Sequence, residues 1–212
     1  MATATEIEPV YPALAPPPPP ARPRVLLIGT LLGSAAMVMA YVGLIGTYLT
    51  LRASFLADQA AMDAGDRLPW LPETVTIPLS PPNMAAVTLL MSVVTVHWAH
   101  HAIRNDDRPN SYVALGLTLV FGLAFINSAI YLFTQMGATI GGSVVELMLF
   151  AIGGFHIATI IVGIVFVALV AFRTLGGQYS GRDSEGLGAA ALYWDAAVLV
   201  YLVSWLAVYV TK

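Results

Sequence analysis

Five long stretches of the chain are apolar almost without interruption, separated by shorter segments richer in polar residues, proline and glycine. They cover about residues 25–51, 84–104, 111–135, 143–172 and 188–210, each near or above the roughly 20 residues a helix needs to cross a hydrocarbon core. A bilayer offers the backbone no water, so such runs must satisfy their N–H and C=O groups internally, which predicts helices. The expected architecture is all-α: a polytopic membrane bundle with five transmembrane helices, filling a single domain over 25–212. The first run is too long for the apolar region of a signal peptide and is not preceded by the usual charged segment and cleavage site. The N-terminus is therefore expected to be retained.

The polar segments add orientation. Residues 1–24 contain the run Ala15 to Pro20, whose five consecutive prolines exclude a helix and predict an extended, solvated polyproline II tail. Residues 53–83, with Pro69, Pro72, Pro78, Pro81 and Pro82, are expected to form the largest ordered extramembrane piece. Arg22, Arg24, Arg104, Arg108, Arg173 and Arg182 fall on one side of the predicted bundle, against Arg52, Arg67 and Lys212 on the other. The excess of basic residues marks the cytoplasmic side, so the N-terminus is expected inside and the C-terminus outside.

Composition narrows the chemistry. Of the 212 residues, 58% are hydrophobic and 10% charged, which fits a membrane protein; the few charges lie mostly in the tail and loops and form no nucleic-acid-binding face. Without cysteine the chain has no disulfide, iron–sulfur or thiolate metal chemistry.

Ionisable residues inside a span are functional candidates, because they are expensive there. Here they are His97, His100, His101, Glu146, His156 and Asp195. The spacing H-x-x-H-H over His97, His100 and His101 is that of a di-iron box, but such a centre needs several boxes and one further histidine exists. A bis-histidine haem needs two facing histidines at one depth. At 1.5 Å per residue His156 lies roughly 20 Å from the outer end of its helix, with no histidine at that level. Hydrogen bonding between helices is the expected role of these side chains. Glu146, at the outer edge of the fourth run, is expected to reach water. Asp195 falls at about the depth of His97, and the two are expected to form a buried polar pair.

The stretch that suggested a metal box also carries a resemblance. Trp98-Ala99-His100-His101, preceded by Asn83, Leu89-Leu90 and Ser92, resembles the N-T-x-x-L-L-x-S-G-x-x-x-T-W-A-H-H segment of cytochrome c oxidase subunit III. Thr47 to Arg52 is similar to that family's A-Y-F-x-x-R, Gly154-Phe155-His156 with Gly163 to G-x-H-G-x-H-V-x-x-G, and Leu192-Tyr193-Trp194 with Trp205 and Tyr209 to Y-W-H-F-x-D-x-V-W and the aromatic end after it. The likeness runs from about residue 30 to the C-terminus, and five spans match the short bacterial form. The chain departs from the pattern at Ala35, Ala129 and Leu132, where glutamate, glutamine and glutamate are expected. It departs again at Thr159 and Asp195, where the family has histidine, and at Val198, where it has aspartate. This is a divergent member by resemblance, with His97 and Asp195 arising together as a replacement pair.

The resemblance implies a redox-inactive accessory subunit of a haem–copper respiratory terminal oxidase in a bacterial inner membrane. Such a subunit packs against catalytic subunit I, within a larger assembly or respiratory supercomplex, binds membrane phospholipid and supports proton uptake. Haem and copper then belong to the partner subunits, and no catalytic, cofactor or metal ligand is expected in this chain. Trp98, His100, His101, His156, Tyr193 and Trp194 are the implied lipid- or subunit-contacting residues. Two other readings stay open: the related accessory protein of a nitric oxide reductase, and an independent histidine-ligated haem membrane protein. A transporter is disfavoured, because no repeat or broken helix is evident.

Overall fold

The computed structural model describes residues 24–211. The proline run of the expected tail lies outside the described residues. Five helices are long and apolar enough to cross a membrane: α1 (Val25–Ala60), α2 (Ser80–Arg104), α3 (Arg108–Gln135), α4 (Val144–Leu175) and α5 (Glu185–Ser204), the last continuing as a π-helix over Trp205–Val210. No strand occurs among the described residues.

Two boundaries differ most from those read off hydropathy, for backbone reasons. α1 runs on from 51 to Ala60, 36 residues in all, about 54 Å at 1.5 Å per residue. The extension Arg52 to Ala60 carries Arg52, Ser54, Asp58 and Gln59 but has no proline or glycine to stop the hydrogen-bond ladder, so the helix outlasts the apolar run. α2 starts at Ser80 rather than 84 because Pro81 and Pro82 sit in its first turn, where the missing N–H groups would have no partner within the helix. The expected extramembrane piece is accordingly shorter, 61–79.

Side-chain caps fix two other starts. Asp107 accepts from the Asn110 amide at the head of α3 (3.3 Å), and Ser143 accepts from the Glu146 amide at the head of α4 (3.2 Å), each meeting a donor the helix leaves open. α5 sits at the middle of the packing. It touches α1, α2 and α4, while α3 pairs along α2 and closes against α4. One core lies around Trp194, Leu89, Val96, Leu115 and Ile160, and a second around Tyr48, Leu132, Leu149, Ile152 and Val208.

The second core is sealed by the 61–79 segment. Val75 and Ile77 are buried in it, the Thr76 amide donates to the Met136 carbonyl (3.0 Å), and Trp70 Nε1 donates to the Tyr48 hydroxyl (3.3 Å). The next residue after Met136, Gly137, has φ +67°, and a Cβ there would lie 2.6 Å from the Thr74 carbonyl oxygen. Glycine is required twice over at that position, for its dihedral and for the close approach.

The arginines at 24, 104, 108, 173 and 182 gather at one end of the bundle, with the start of α1, the α2–α3 turn and the α4–α5 turn. We call this the basic end.

Candidate functional site

Trp194 is the most enclosed large side chain of α5, with no exposed surface. Three helices make room for it. A Cβ on Gly122 of α3 would lie 2.9 Å from its Cη2, and one on Gly163 of α4 would lie 3.0 Å from its Cε3. From α2, Ser92 Oγ accepts from its indole N–H (2.8 Å) and itself donates to the Leu89 carbonyl (2.6 Å). Beside it Tyr193 reaches α4, donating to the Thr159 carbonyl (3.0 Å).

Nearer the other end, His156 is 2% exposed and packed between two tyrosines, tilted against one and edge-on to the other. Its ring centroid is 4.4 Å from that of Tyr41 on α1 and 5.2 Å from that of Tyr201 on α5. Nδ1 donates to the Ile152 carbonyl of its own helix (2.9 Å). Nε2 has no partner at hydrogen-bond geometry. The Tyr41 hydroxyl meets Thr159 Oγ1 (3.2 Å), and Thr159 donates on to the His156 carbonyl (2.9 Å). Thr159, which stands where the family pattern has a second histidine, thus ties α1 to α4 and serves α5 through its carbonyl.

His97 and Asp195 come together, with His97 Nε2 at 2.9 and 3.1 Å from the two carboxylate oxygens. The pair is not buried as the sequence suggested. At the α2–α5 seam its side chains are 52% and 40% exposed among the described residues. Glu146 differs in the opposite sense. Instead of reaching water it is 4% exposed, and its Oε1 accepts from the Thr139 amide (2.8 Å). That folds the α3–α4 turn over the head of α4.

At the basic end the remaining candidates separate. Trp98 is 40% exposed and points outward. His100 is half-buried against α5, where a Cβ on Gly188 would lie 3.3 Å from its Cε1, with Ser184 Oγ at 3.5 Å from Nε2. His101 is exposed and accepts from Asn105 Nδ2 (3.0 Å). His156 on α4 shares no contact with the α2 histidines, and no group of three or more His, Asp or Glu side chains suited to hold a metal ion occurs among the described residues. Outside the spans, burial pushes the Tyr179 phenol up, while Arg173 lies 5.2 Å from its ring centroid.

Sequence reasoning did not find the roles of Ser92, Gly122 and Thr159. The small residues facing a lone buried tryptophan were the available signal, but their register across helices is not visible in one dimension. The Ser143-x-x-Glu146 spacing was a legible helix-start signature.

The comparisons with known proteins point to one family. The sequence profile of the family "Cytochrome c oxidase subunit III" matches residues 25–212, all five spans. The chain is 30% identical over 143 residues to "Cytochrome c oxidase subunit 3" of Spodoptera frugiperda, covering 66% of this chain and 97% of that protein. It is 32% identical to the protein of that name from Pelomedusa subrufa and 34% identical to that from Strongylocentrotus purpuratus. The match spans about half the length of these last two, 54% and 55%. With the family profile covering every helix and the Trp194, His156 and Trp98-Ala99-His100-His101 segments all lying inside it, the chain belongs to the cytochrome c oxidase subunit III family.

Proposed function

We propose that the protein is a redox-inactive accessory subunit of a haem–copper terminal oxidase. It sits in a bacterial cytoplasmic membrane with its N-terminus and basic end inside and its C-terminus outside. The observation that carries this reading is the family match over 25–212. The geometry supports it, because several of the buried intramembrane polar side chains join helices: Trp194 to Ser92 and Tyr41 to Thr159, with His156 packed against the aromatic rings beside it. Each bond replaces solvation that the bilayer cannot supply.

In this role the chain packs against the catalytic subunit, which supplies haem and copper, and holds phospholipid along its surface. Trp98 suits the headgroup level, with an apolar ring and a polar N–H at the basic end. His100, His101 and Arg104 lie beside it and offer donors to phosphate. The same groups face the compartment from which protons are drawn, and we assign the chain a part in sustaining proton uptake during oxygen reduction.

The test compares the oxidase purified with and without this chain. The haem spectrum of the catalytic subunit is expected to be the same in both, with proton uptake per electron and sustained oxygen consumption lower when the chain is absent. Loss of a haem band along with the chain, or identical proton uptake and turnover, would sink the proposal.

A further inference from the structure

The arginines of the basic end are not spread evenly over it. Arg24 at the head of α1, Arg104 at the end of α2 and Arg182 in the α4–α5 turn line one cleft of about 890 Å³, together with His100. That volume falls in the range of sites for small ligands, about 300–1,000 Å³. Arg173, at the same end, is engaged within the chain: its Nε donates to Gln178 Oε1 (2.8 Å) and its guanidinium lies against the Tyr179 ring. Arg24, Arg104 and Arg182 have no side-chain hydrogen bond or ion pair among the described residues.

The carboxylates nearby hold the walls of the cleft through backbone amides. Glu185 Oε1 accepts from the Leu27 amide (3.0 Å), tying the head of α5 to that of α1. Asp106 Oδ1 accepts from the Gly181 amide (2.7 Å), which pins the α4–α5 turn to the α2–α3 turn. That turn lies directly on the end of α2, since a Cβ on Gly181 would be 2.7 Å from the Arg104 carbonyl oxygen. The turn is closed on itself by reciprocal backbone bonds between Ser180 and Asp183 (3.1 and 3.0 Å). Three guanidiniums against two carboxylates in the lining, Asp183 and Glu185, leave the cleft positive before His100 is counted. Membrane orientation on its own asks only for basic residues at this end; it does not ask three of them to share one walled cleft.

We infer that the cleft binds an anionic phosphate group, held by charge-assisted hydrogen bonds from Arg24, Arg104 and Arg182. The planar guanidinium fork matches two oxygens of such a group. Two sources carry it: the headgroup of an anionic phospholipid, and inorganic phosphate in solution. Arg24, Leu27, Ile28 and Leu31 share one face of α1 by their spacing. Ile28 and Leu31 are exposed, so an apolar track for an acyl chain leads away from the cleft, which favours the headgroup. The inference rests on the lipid-holding role proposed above and deepens it, by naming the site and the group recognised.

The full-length chain, with whatever subunits purify alongside it, is stripped of lipid by detergent exchange. It is then offered phosphatidylglycerol, phosphatidylcholine of the same chain length, or inorganic phosphate at constant ionic strength. Native mass spectrometry reads bound lipid, and phosphorus NMR line width reads bound phosphate. Arg104→Gln and Arg182→Gln remove cleft donors at exposed positions. Arg108→Gln removes the same charge from the same end but outside the cleft lining, and circular dichroism melting verifies that all three fold. Phosphatidylglycerol is expected to bind in preference to phosphatidylcholine, about tenfold more weakly in each cleft variant and unchanged in Arg108→Gln. If inorganic phosphate binds with that same sensitivity to Arg104 and Arg182 while phosphatidylglycerol does not, the site stands and its ligand is the dissolved ion. Binding of neither, or a loss in Arg108→Gln as large as in the cleft variants, overturns the inference. The accessory role in an oxidase, tested by proton uptake and turnover, is untouched by that failure.

Discussion

Trp194 shows how single residues hold this protein together: its ring fills a slot that exists because Gly122 and Gly163 have no side chains, and its N–H finds the Ser92 hydroxyl of α2. Trp194→Ala should lower stability by about 3–5 kcal/mol, the usual range for emptying a buried aromatic site. Gly163→Ala should lower it by about 1–3 kcal/mol through overpacking. Thermal unfolding in detergent, followed by circular dichroism, checks both; a wild-type midpoint for Gly163→Ala would show that the slot has slack. The His97–Asp195 pair calls for a different measurement, because its two members are half exposed. A double-mutant cycle with His97→Ala and Asp195→Ala should give a coupling of about 0.6 kcal/mol and no more than about 1.7 kcal/mol, the mean and the maximum found for interhelical hydrogen bonds in membranes. A coupling near zero would mean that the two side chains do not interact in the unassembled chain.

At the scale of elements, the five spans were legible because burial in lipid demands long apolar runs, and the structure has a helix over each. The ends were less so. Hydropathy stops at residue 51, but a helix stops where its hydrogen-bond ladder is broken, and α1 continues to Ala60. Pro81 and Pro82 looked like loop residues and are instead the first turn of α2. The folding of 61–79 onto the second core depends on Gly137 meeting Thr74 across the chain, which no local pattern announces. Glu146 belongs at this scale too, since its carboxylate holds the α3–α4 turn rather than facing water. Glu146→Ala should loosen that turn, because it removes the acceptor of the Thr139 amide. Amide exchange at Thr139 should quicken in the variant; unchanged exchange would assign the turn's order to Gly137 and Met136 instead.

The whole molecule is a bundle in which some of the buried polar groups bond from helix to helix, and the family match extends from the first helix to the last. The candidate site was partly legible on the same terms. Trp194, His156 and the Trp98 to His101 segment could be singled out from short motifs, whereas the outward exposure of His97 and Asp195 depends on which helices flank α2 and α5, a fact of packing. Gly154 illustrates the limit of motif reading in the other direction, for it belongs to a motif and yet a Cβ there would meet nothing within 4 Å. Membership of a larger complex is the claim on which the functional account depends. The measurement that tests it most directly is purification of the tagged chain from its native membrane in mild detergent, with a reduced-minus-oxidised spectrum and mass spectrometry of the associated proteins. The account predicts a copurifying haem–copper catalytic subunit and no haem band in the separated 22.5 kDa chain. A chain that emerges alone with a haem spectrum of its own would contradict it.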